Sequence, residues 1–137
     1  MNHKILIADD DENTRKIITR IFSDYTVISA CDGQEAVALI AAEAPSIVFL
    51  DIQMPLMGGL EVLRALRRME PAPLFIMLTG SVDLEIALSA LQLGAASYIT
   101  KPFDHDMLMQ AVVSTFAHMD GRKDSGDKPW RLISPDD

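Results

Sequence analysis

The chain has 137 residues, which is the length of one domain with at most a short appendage. Its net charge of −8 argues against direct nucleic-acid binding and against attraction to anionic membranes, and it favours cations and basic partner surfaces. Cys31 is the only cysteine, so an internal disulfide is excluded. With no signal-peptide pattern at the start and no apolar stretch long enough to span a bilayer, we expect a cytoplasmic protein.

Short apolar runs alternate five times with helical patterns along the chain. The predicted strands are 5–8, 25–29, 46–51, 74–78 and 97–100. The predicted helices follow 9–11, begin at 32–33, and span 59–68, about 83–93 and about 104–119. Such alternation requires parallel strands joined by right-handed helical crossovers. We therefore expect an α/β fold with a doubly wound sheet, helices on both faces, and the apolar first, third and fourth strands at its centre.

The last part of the chain changes character. Residues 120–129 are polar and predict a linker, whereas 130–133 (Trp-Arg-Leu-Ile) form a short, mostly apolar segment. This segment predicts either the first strand of a further domain or a free tail. We accordingly divide the chain into a domain over 1–119 and a tail over 120–137.

The fourth predicted helix is apolar on nearly every side, which is typical of a deeply buried helix or one that meets a partner. The residues expected to form its buried stripe are Leu84, Ala87, Leu88 and Leu91. The residues expected to add apolar surface for a partner are Ile86, Ala90 and Leu93.

Chemically versatile side chains follow four of the predicted strands. Asp9 and Asp10 follow the first strand, and Asp51 ends the third, which is apolar throughout. Thr79 and Lys101 follow the fourth and fifth strands. Because the carboxyl ends of parallel strands lie side by side, the three carboxylates repel one another and need a counter-charge. Oxygen ligands of this kind suit Mg²⁺, and a hydroxyl with an ammonium can bind phosphoryl oxygens, so the set favours phosphoryl transfer onto an aspartate.

Each of these residues alone has a plainer explanation. Asp9 or Asp10 would be a solvated carboxylate at a helix start, and Asp51 a turn residue before proline and glycine. Thr79 alone is more often structural, and Lys101 alone is usually solvated. Their joint position on four strand ends is what favours a functional site.

Together the motifs resemble the receiver domain of bacterial two-component response regulators. The resemblance lies in Asp9-Asp10, in Leu-Asp-Ile-Gln-Met-Pro around Asp51, in Thr79-Gly80 and in Lys101-Pro102, and it covers about residues 3–119. It implies a flavodoxin-like sheet with strand order 2-1-3-4-5. It also implies a signalling module rather than an enzyme, in which Asp51 accepts a phosphoryl group from the phosphohistidine of a sensor kinase or phosphotransfer protein.

The resemblance also implies a Mg²⁺ site. Asp10 would be the main carboxylate ligand, with Asp9 acting directly or through water. Asp51 and the backbone carbonyl of Gln53 would complete the protein ligands.

The same resemblance implies a switch. Thr79 and Lys101 would hold the phosphoryl oxygens, and the peptide between Lys101 and Pro102 would be cis. Tyr98 falls where the family has its switch aromatic. The output surface would be the fourth helix, fifth strand and fifth helix, used for a homodimer or for a C-terminal output domain.

Two other functions fit parts of the pattern. A Mg²⁺-dependent phosphohydrolase resembling haloacid dehalogenases would also form an aspartyl-phosphate, but such enzymes carry a second aspartate two residues after the nucleophile. Here that position is Gln53, which argues against hydrolysis. An adaptor that works without phosphorylation would not need the complete set of aspartates, threonine and lysine.

Overall fold

The computed structural model describes residues 3–80 and 84–121, and its five strands occur where the sequence predicts them. The strands are β1 (Lys4–Ala8), β2 (Thr26–Ala30), β3 (Ile47–Asp51), β4 (Leu74–Thr79) and β5 (Ser97–Thr100). They pair in parallel in the order β2-β1-β3-β4-β5, which confirms the flavodoxin-like topology. The three most apolar strands, β1, β3 and β4, occupy the centre as predicted.

Five helices connect or follow the strands. They are α1 (Glu12–Ile21), α2 (Gly33–Glu43), α3 (Gly59–Leu66), α4 (Leu84–Gln92) and α5 (His105–Gly121). α3 is shorter than predicted, and α5 continues to Gly121, so the predicted boundary at 119/120 falls in its last turn. That division into domain and tail stays a prediction, because residues 122–137, including the apolar 130–133, lie outside the described residues. No helix within the described ranges is both long and apolar enough to cross a bilayer.

Alternate strand residues face opposite sides of the sheet, and each side has its own apolar core. On one side Leu6, Val48 and Met77 pack against the buried residues of α2, α3 and α4. On the other side Phe49 and Ile76 pack against those of α1 and α5. All five residues of β3 are buried, so Asp51 ends a strand that is enclosed on both faces.

The inward face of α4 differs from the predicted one. Leu88, expected in the buried stripe, is 54% exposed, whereas Ala90, expected on the outer surface, is fully buried. Ala87 and Ala90 lie one turn apart and both face the sheet. The rotation agrees with a narrow polar stripe on this helix, since residues 85, 89 and 92 (Glu, Ser and Gln) are all exposed and Leu88 lies among them on the outer side. The other apolar side chains that pack partly buried against the core are Ile86, Leu91 and Leu93.

His3 closes the edge of the sheet where the strands begin. Its ring stacks on Phe116 of α5 with 4.4 Å between centroids, and its Nδ1 lies 2.9 Å from the Ser46 hydroxyl. Tyr25 packs on the same phenyl ring with centroids 5.4 Å apart. The opposite edge, where the strands end, carries the polar residues of interest.

Candidate functional site

Asp51 is the centre of the polar cluster at the carboxyl edge of the sheet. It is only 6% exposed, and its Oδ1 accepts a hydrogen bond from the backbone amide of Gln53 at 3.1 Å. Its Oδ2 lies 3.5 Å from the Nζ of Lys101. The chain leaves β3 at this residue, so the side chain lies at the end of the central strand, as predicted.

Asp9 and Asp10 lie beside Asp51, but they differ in burial. Asp9 is completely buried, and its Oδ1 and Oδ2 accept hydrogen bonds from the Asp11 amide at 2.9 Å and from the Lys101 ammonium at 2.7 Å. Asp10 is exposed. Asp9, Asp10 and Asp51 each offer a carboxylate oxygen within 4.8 Å of the others. Three hard oxygen donors this close together, one of them open to solvent, fit a Mg²⁺ ion.

Lys101 is the counter-charge that the clustered carboxylates need. Its Nζ contacts the carboxylates of both Asp9 and Asp51, and its side chain is 24% exposed. Burial opposes the charge of the ammonium, but the hydrogen bond to Asp9 and the charge of Asp51 outweigh it and raise the pKa of Lys101. The lysine therefore stays protonated throughout the physiological range.

Asp51 is not fully neutralised by this lysine. Burial, with the negative charge of Asp9 as the next cause, raises the pKa of Asp51 to about 6. Lys101 and the Gln53 amide act in the opposite direction but do not compensate. The ionised carboxylate therefore costs stability in the cation-free protein, as expected for a site built to receive positive charge.

Replacement of Asp51 by asparagine is expected to raise the free energy of unfolding at neutral pH by about 1–3 kcal/mol in cation-free buffer. Because the folded-state pKa of about 6 exceeds the ordinary 3.8, the wild type loses stability as pH rises between those values, and the variant does not. Urea unfolding should show this gain at about pH 7 and a smaller one near pH 4. Equal stability of the two proteins at neutral pH would contradict the raised pKa.

Thr79 and Tyr98 lie on neighbouring strands and on the same face of the sheet. Asp51 pairs with Leu78 in the register of β3 and β4, and Thr79 follows as the last residue of β4. Thr79 is 8% exposed, and its carbonyl accepts the Lys101 amide at 2.8 Å. Tyr98 pairs with Met77, two residues before Thr79, and it is buried in the core under α4.

The backbone around the cluster agrees with the sequence expectation. The peptide between Lys101 and Pro102 is cis, as predicted, and a second cis peptide precedes Pro71.

An open groove of about 500 Å³ runs from Asp10 along the loop after β3. The residues that line it are Asp10, Ile52, Gln53, Met54, Pro55, Gly58 and Glu61.

Both the sequence and the fold of this chain are similar to those of known proteins. Over residues 5–113, a span that includes all of the clustered side chains, the sequence matches the family described as "Response regulator receiver domain". The chain belongs to this family. The predicted resemblance is therefore confirmed, and the chain is a receiver domain of the kind found in two-component response regulators.

The relatives of this receiver domain include whole regulators and single domains. It is 37% identical over 128 residues to "Probable transcriptional regulator ycf27" of Porphyridium aerugineum, covering 92% of this chain and 53% of that protein. It is 32% identical over 114 residues to "Sporulation initiation phosphotransferase F" of Bacillus subtilis (strain 168), covering 82% of this chain and 92% of that one. The receiver domain thus spans about half the length of the first relative and nearly all of the second.

Solved structures give the same fold. The receiver domain superposes with a TM-score of 0.76 and 33% identity on a chain of a CheX-CheY-BeF3-Mg complex from Borrelia burgdorferi, covering 83% of this chain and 89% of that one.

Two features of the receiver site were not predicted. The guanidinium of Arg15 on α1 donates a hydrogen bond to the backbone carbonyl of Asp9 at 2.8 Å, which fixes the turn after β1. Gly59 packs so closely on β3 that a Cβ atom there would overlap the Asp51 carbonyl oxygen and lie 2.9 Å from its carbon. The position of Arg15, one helical turn after 9–11, is a sequence signal for the first contact. For the close packing of Gly59 on β3, the sequence gives no signal beyond the glycine itself.

Proposed function

We propose that Asp51 of this receiver domain accepts a phosphoryl group from the phosphohistidine of a sensor histidine kinase or phosphotransfer protein. The observation that carries the proposal is the position of Asp51, at the end of the central strand, with Lys101 against it and with Asp9 and Asp10 within ligand distance of one cation. A carboxylate in this setting is both a nucleophile and part of a cation site.

The transfer itself needs positioning and charge neutralisation rather than further covalent chemistry. An Asp51 oxygen attacks phosphorus, a P–O bond forms, and the P–N bond to the donor's imidazole breaks. Lys101, already 3.5 Å from Asp51, offers its ammonium to the oxygens of the phosphoryl group. The Thr79 hydroxyl, at the end of the adjacent strand, is the second donor that we assign to those oxygens.

We assign the Mg²⁺ site to Asp10, Asp51 and the backbone carbonyl of Gln53. Asp9, whose two oxygens also accept hydrogen bonds from Asp11 and Lys101, takes part directly or through water. A cation bound there would supply the positive charge that three carboxylates and an incoming phosphoryl group lack. The structure of the Borrelia burgdorferi relative, whose description names both BeF3 and Mg, supports this assignment.

Incubation with acetyl phosphate and Mg²⁺ is expected to add one phosphoryl group to the wild-type chain, and none to an Asp51→Asn variant. Intact-protein mass spectrometry measures the added mass, and omission of Mg²⁺ should abolish it because the carboxylates then repel the donor. Asp24→Asn, which removes an equal charge at the other edge of the sheet, is the matched control and should be phosphorylated normally. Label that persists on the Asp51→Asn variant would refute the assignment.

We further propose that Thr79 and Tyr98 convert phosphorylation into a change of surface. The Tyr98 ring lies inside the core beside Ala87 and Ala90, so the switch is an exchange between this buried position and an outward one. A charge-assisted hydrogen bond from Thr79 to the phosphoryl group draws the end of β4 toward Asp51 and favours the buried ring. The face of α4, β5 and α5, where Leu88 is exposed, is then the surface for a homodimer or an output domain.

Thr79→Ala is expected to uncouple this response. Beryllofluoride, which mimics the phosphoryl group, should shift the amide signals of residues 84–100 in NMR spectra of the wild type. In the variant these shifts should be largely lost while acetyl phosphate still labels Asp51, because one charge-assisted bond of about 1.5–3 kcal/mol has been removed. Normal shifts in a Thr79→Ala protein that is also labelled would contradict the coupling route.

The same site argues for a signalling role without turnover of small substrates. Gln53 occupies the position where a phosphohydrolase would need a carboxylic acid, and its backbone amide is committed to Asp51. We therefore propose a cytoplasmic phosphoacceptor that assists only its own phosphorylation and dephosphorylation. Release of phosphate from p-nitrophenyl phosphate at an enzymatic rate would favour the phosphohydrolase instead.

A further inference from the structure

Leu56, in the loop between β3 and α3, has a backbone conformation that leucine rarely adopts. Its φ is +68°, in the left-handed region, and its side chain is 72% exposed. Glycine or asparagine takes this conformation at lower cost, and an exposed leucine gains no burial in return. Glycine or asparagine at position 56 would therefore make the fold at least as stable as leucine does.

The surrounding contacts impose this conformation on the loop. The Gly59 amide donates to the Ile52 carbonyl at 2.9 Å, and the Met57 amide donates to the Pro55 carbonyl at 2.7 Å. Gly33 of α2 packs so tightly against the Met57 carbonyl that a Cβ atom on residue 33 would overlap the carbonyl oxygen. Strained residues that are held in this way are concentrated at functional sites.

The position of the loop indicates which protein Leu56 contacts. The loop starts directly after Asp51, and residues on either side of Leu56 line the groove that begins at Asp10. Leu56 is three residues from Gly59, which packs against the Asp51 carbonyl, so Leu56 lies within roughly 11 Å of a residue that contacts Asp51. A stable protein interface covers about 800 Å² on each partner, a disc of roughly 16 Å radius. A protein centred on Asp51 therefore covers Leu56 as well.

We propose that Leu56 is a specificity contact for the protein that donates the phosphoryl group to Asp51. The donor presents an apolar surface next to its phosphohistidine, and Leu56 is buried against it when the two proteins dock. A small donor such as acetyl phosphate enters the groove without touching this side chain. The inference rests on the proposed function, since it requires that Asp51 is phosphorylated by a protein.

The test is Leu56→Asn, since asparagine tolerates a positive φ and removes the apolar surface. Phosphorylation by acetyl phosphate and Mg²⁺ should proceed at the wild-type rate, and the denaturant midpoint should be equal or higher. The protein donors are the purified histidine kinases of the genome that carries this chain, and the fastest of them on the wild type is used. With that kinase the KM for the variant is expected to rise at least tenfold with little change in kcat, since a buried leucine side chain is lost.

Met119→Asn is the control, because Met119 is 42% exposed and lies near the end of α5, at the opposite edge of the sheet. It should leave both reactions unchanged. Kinase kinetics of Leu56→Asn that equal those of the wild type would overturn the role of Leu56 while leaving phosphorylation of Asp51 intact. Failure of acetyl phosphate and of every kinase to label the wild type would instead contradict the proposed function itself.

Discussion

Replacing Lys101 by methionine is expected to lower the free energy of unfolding by about 3–5 kcal/mol in buffer free of divalent cations. The lysine is the counter-charge for two buried carboxylates, with its Nζ 2.7 Å from Asp9 and 3.5 Å from Asp51. Methionine keeps most of the apolar stem but leaves those charges uncompensated. The deficit should shrink as pH falls, because Asp51, whose pKa is raised to about 6, then takes up a proton and the repulsion between the two side chains is relieved.

Magnesium provides a second measurement on the same variant. Because the cation would replace the missing positive charge, titration with Mg²⁺ should stabilise Lys101→Met more than the wild type in urea unfolding. Lys4→Met is the matched control: Lys4 pairs with Glu43 at 3.0 Å, but both side chains are at least one-third exposed. That surface pair should be worth less than about 1 kcal/mol and should not respond to Mg²⁺. Equal losses in the two variants would mean that Lys101 does not neutralise the cluster.

Gly59→Ala is expected to destabilise the chain by about 3 kcal/mol, at the upper end of overpacking effects. The added methyl group would overlap the carbonyl oxygen of Asp51 and lie 3.0 Å from the Cα of Ile52, both of which are backbone atoms that cannot rotate away. Relief requires α3 or the end of β3 to move. Since β3 carries Asp51, the proposed phosphoacceptor, labelling by acetyl phosphate should slow markedly even in the folded fraction.

Gly80→Ala separates this steric effect from the general cost of replacing a glycine. A Cβ atom at Gly80 meets no atom within 4 Å among the described residues, and this glycine also lies at the carboxyl edge. Its stability should change by less than about 0.5 kcal/mol, as for most surface substitutions. Urea unfolding of both variants measures the contrast. A Gly59→Ala protein as stable as Gly80→Ala would show that α3 tolerates a shift at this contact.

The topology and the clustered residues could be predicted because both depend on short-range patterns. Each strand is a segment of four to six residues that is apolar at its centre, and parallel pairing brings the ends of all such segments to one edge. Asp9, Asp51 and Lys101 follow those runs directly, so their proximity needed no knowledge of side-chain packing. Their differing burial, with Asp9 enclosed and Asp10 exposed, did require the structure, because adjacent residues leave the strand in different directions.

The features that could not be predicted depend on contacts between distant parts of the chain. The rotation of α4 is a different case, because the polar stripe formed by residues 85, 89 and 92 did indicate that Ala90 rather than Leu88 would face the sheet. The contacts of His3 with Phe116 and Ser46 join residues that are far apart in the sequence, so no local pattern predicts them. The close approach of Gly59 to Asp51 is likewise visible only once α3 is placed against β3.

The stack between His3 and Phe116 also fixes the direction in which both ends of the described chain depart. His3 precedes β1, and Phe116 lies five residues before the end of α5, so the two ends emerge side by side at the edge where the strands begin. Asp51 lies at the other edge, across the full length of the strands. An affinity tag, a surface tether or a fused reporter joined next to residue 3 or residue 121 would therefore leave the edge that carries Asp51 unobstructed. A chain immobilised directly at either of these residues should present Asp51 to donors in solution in the same orientation in every copy.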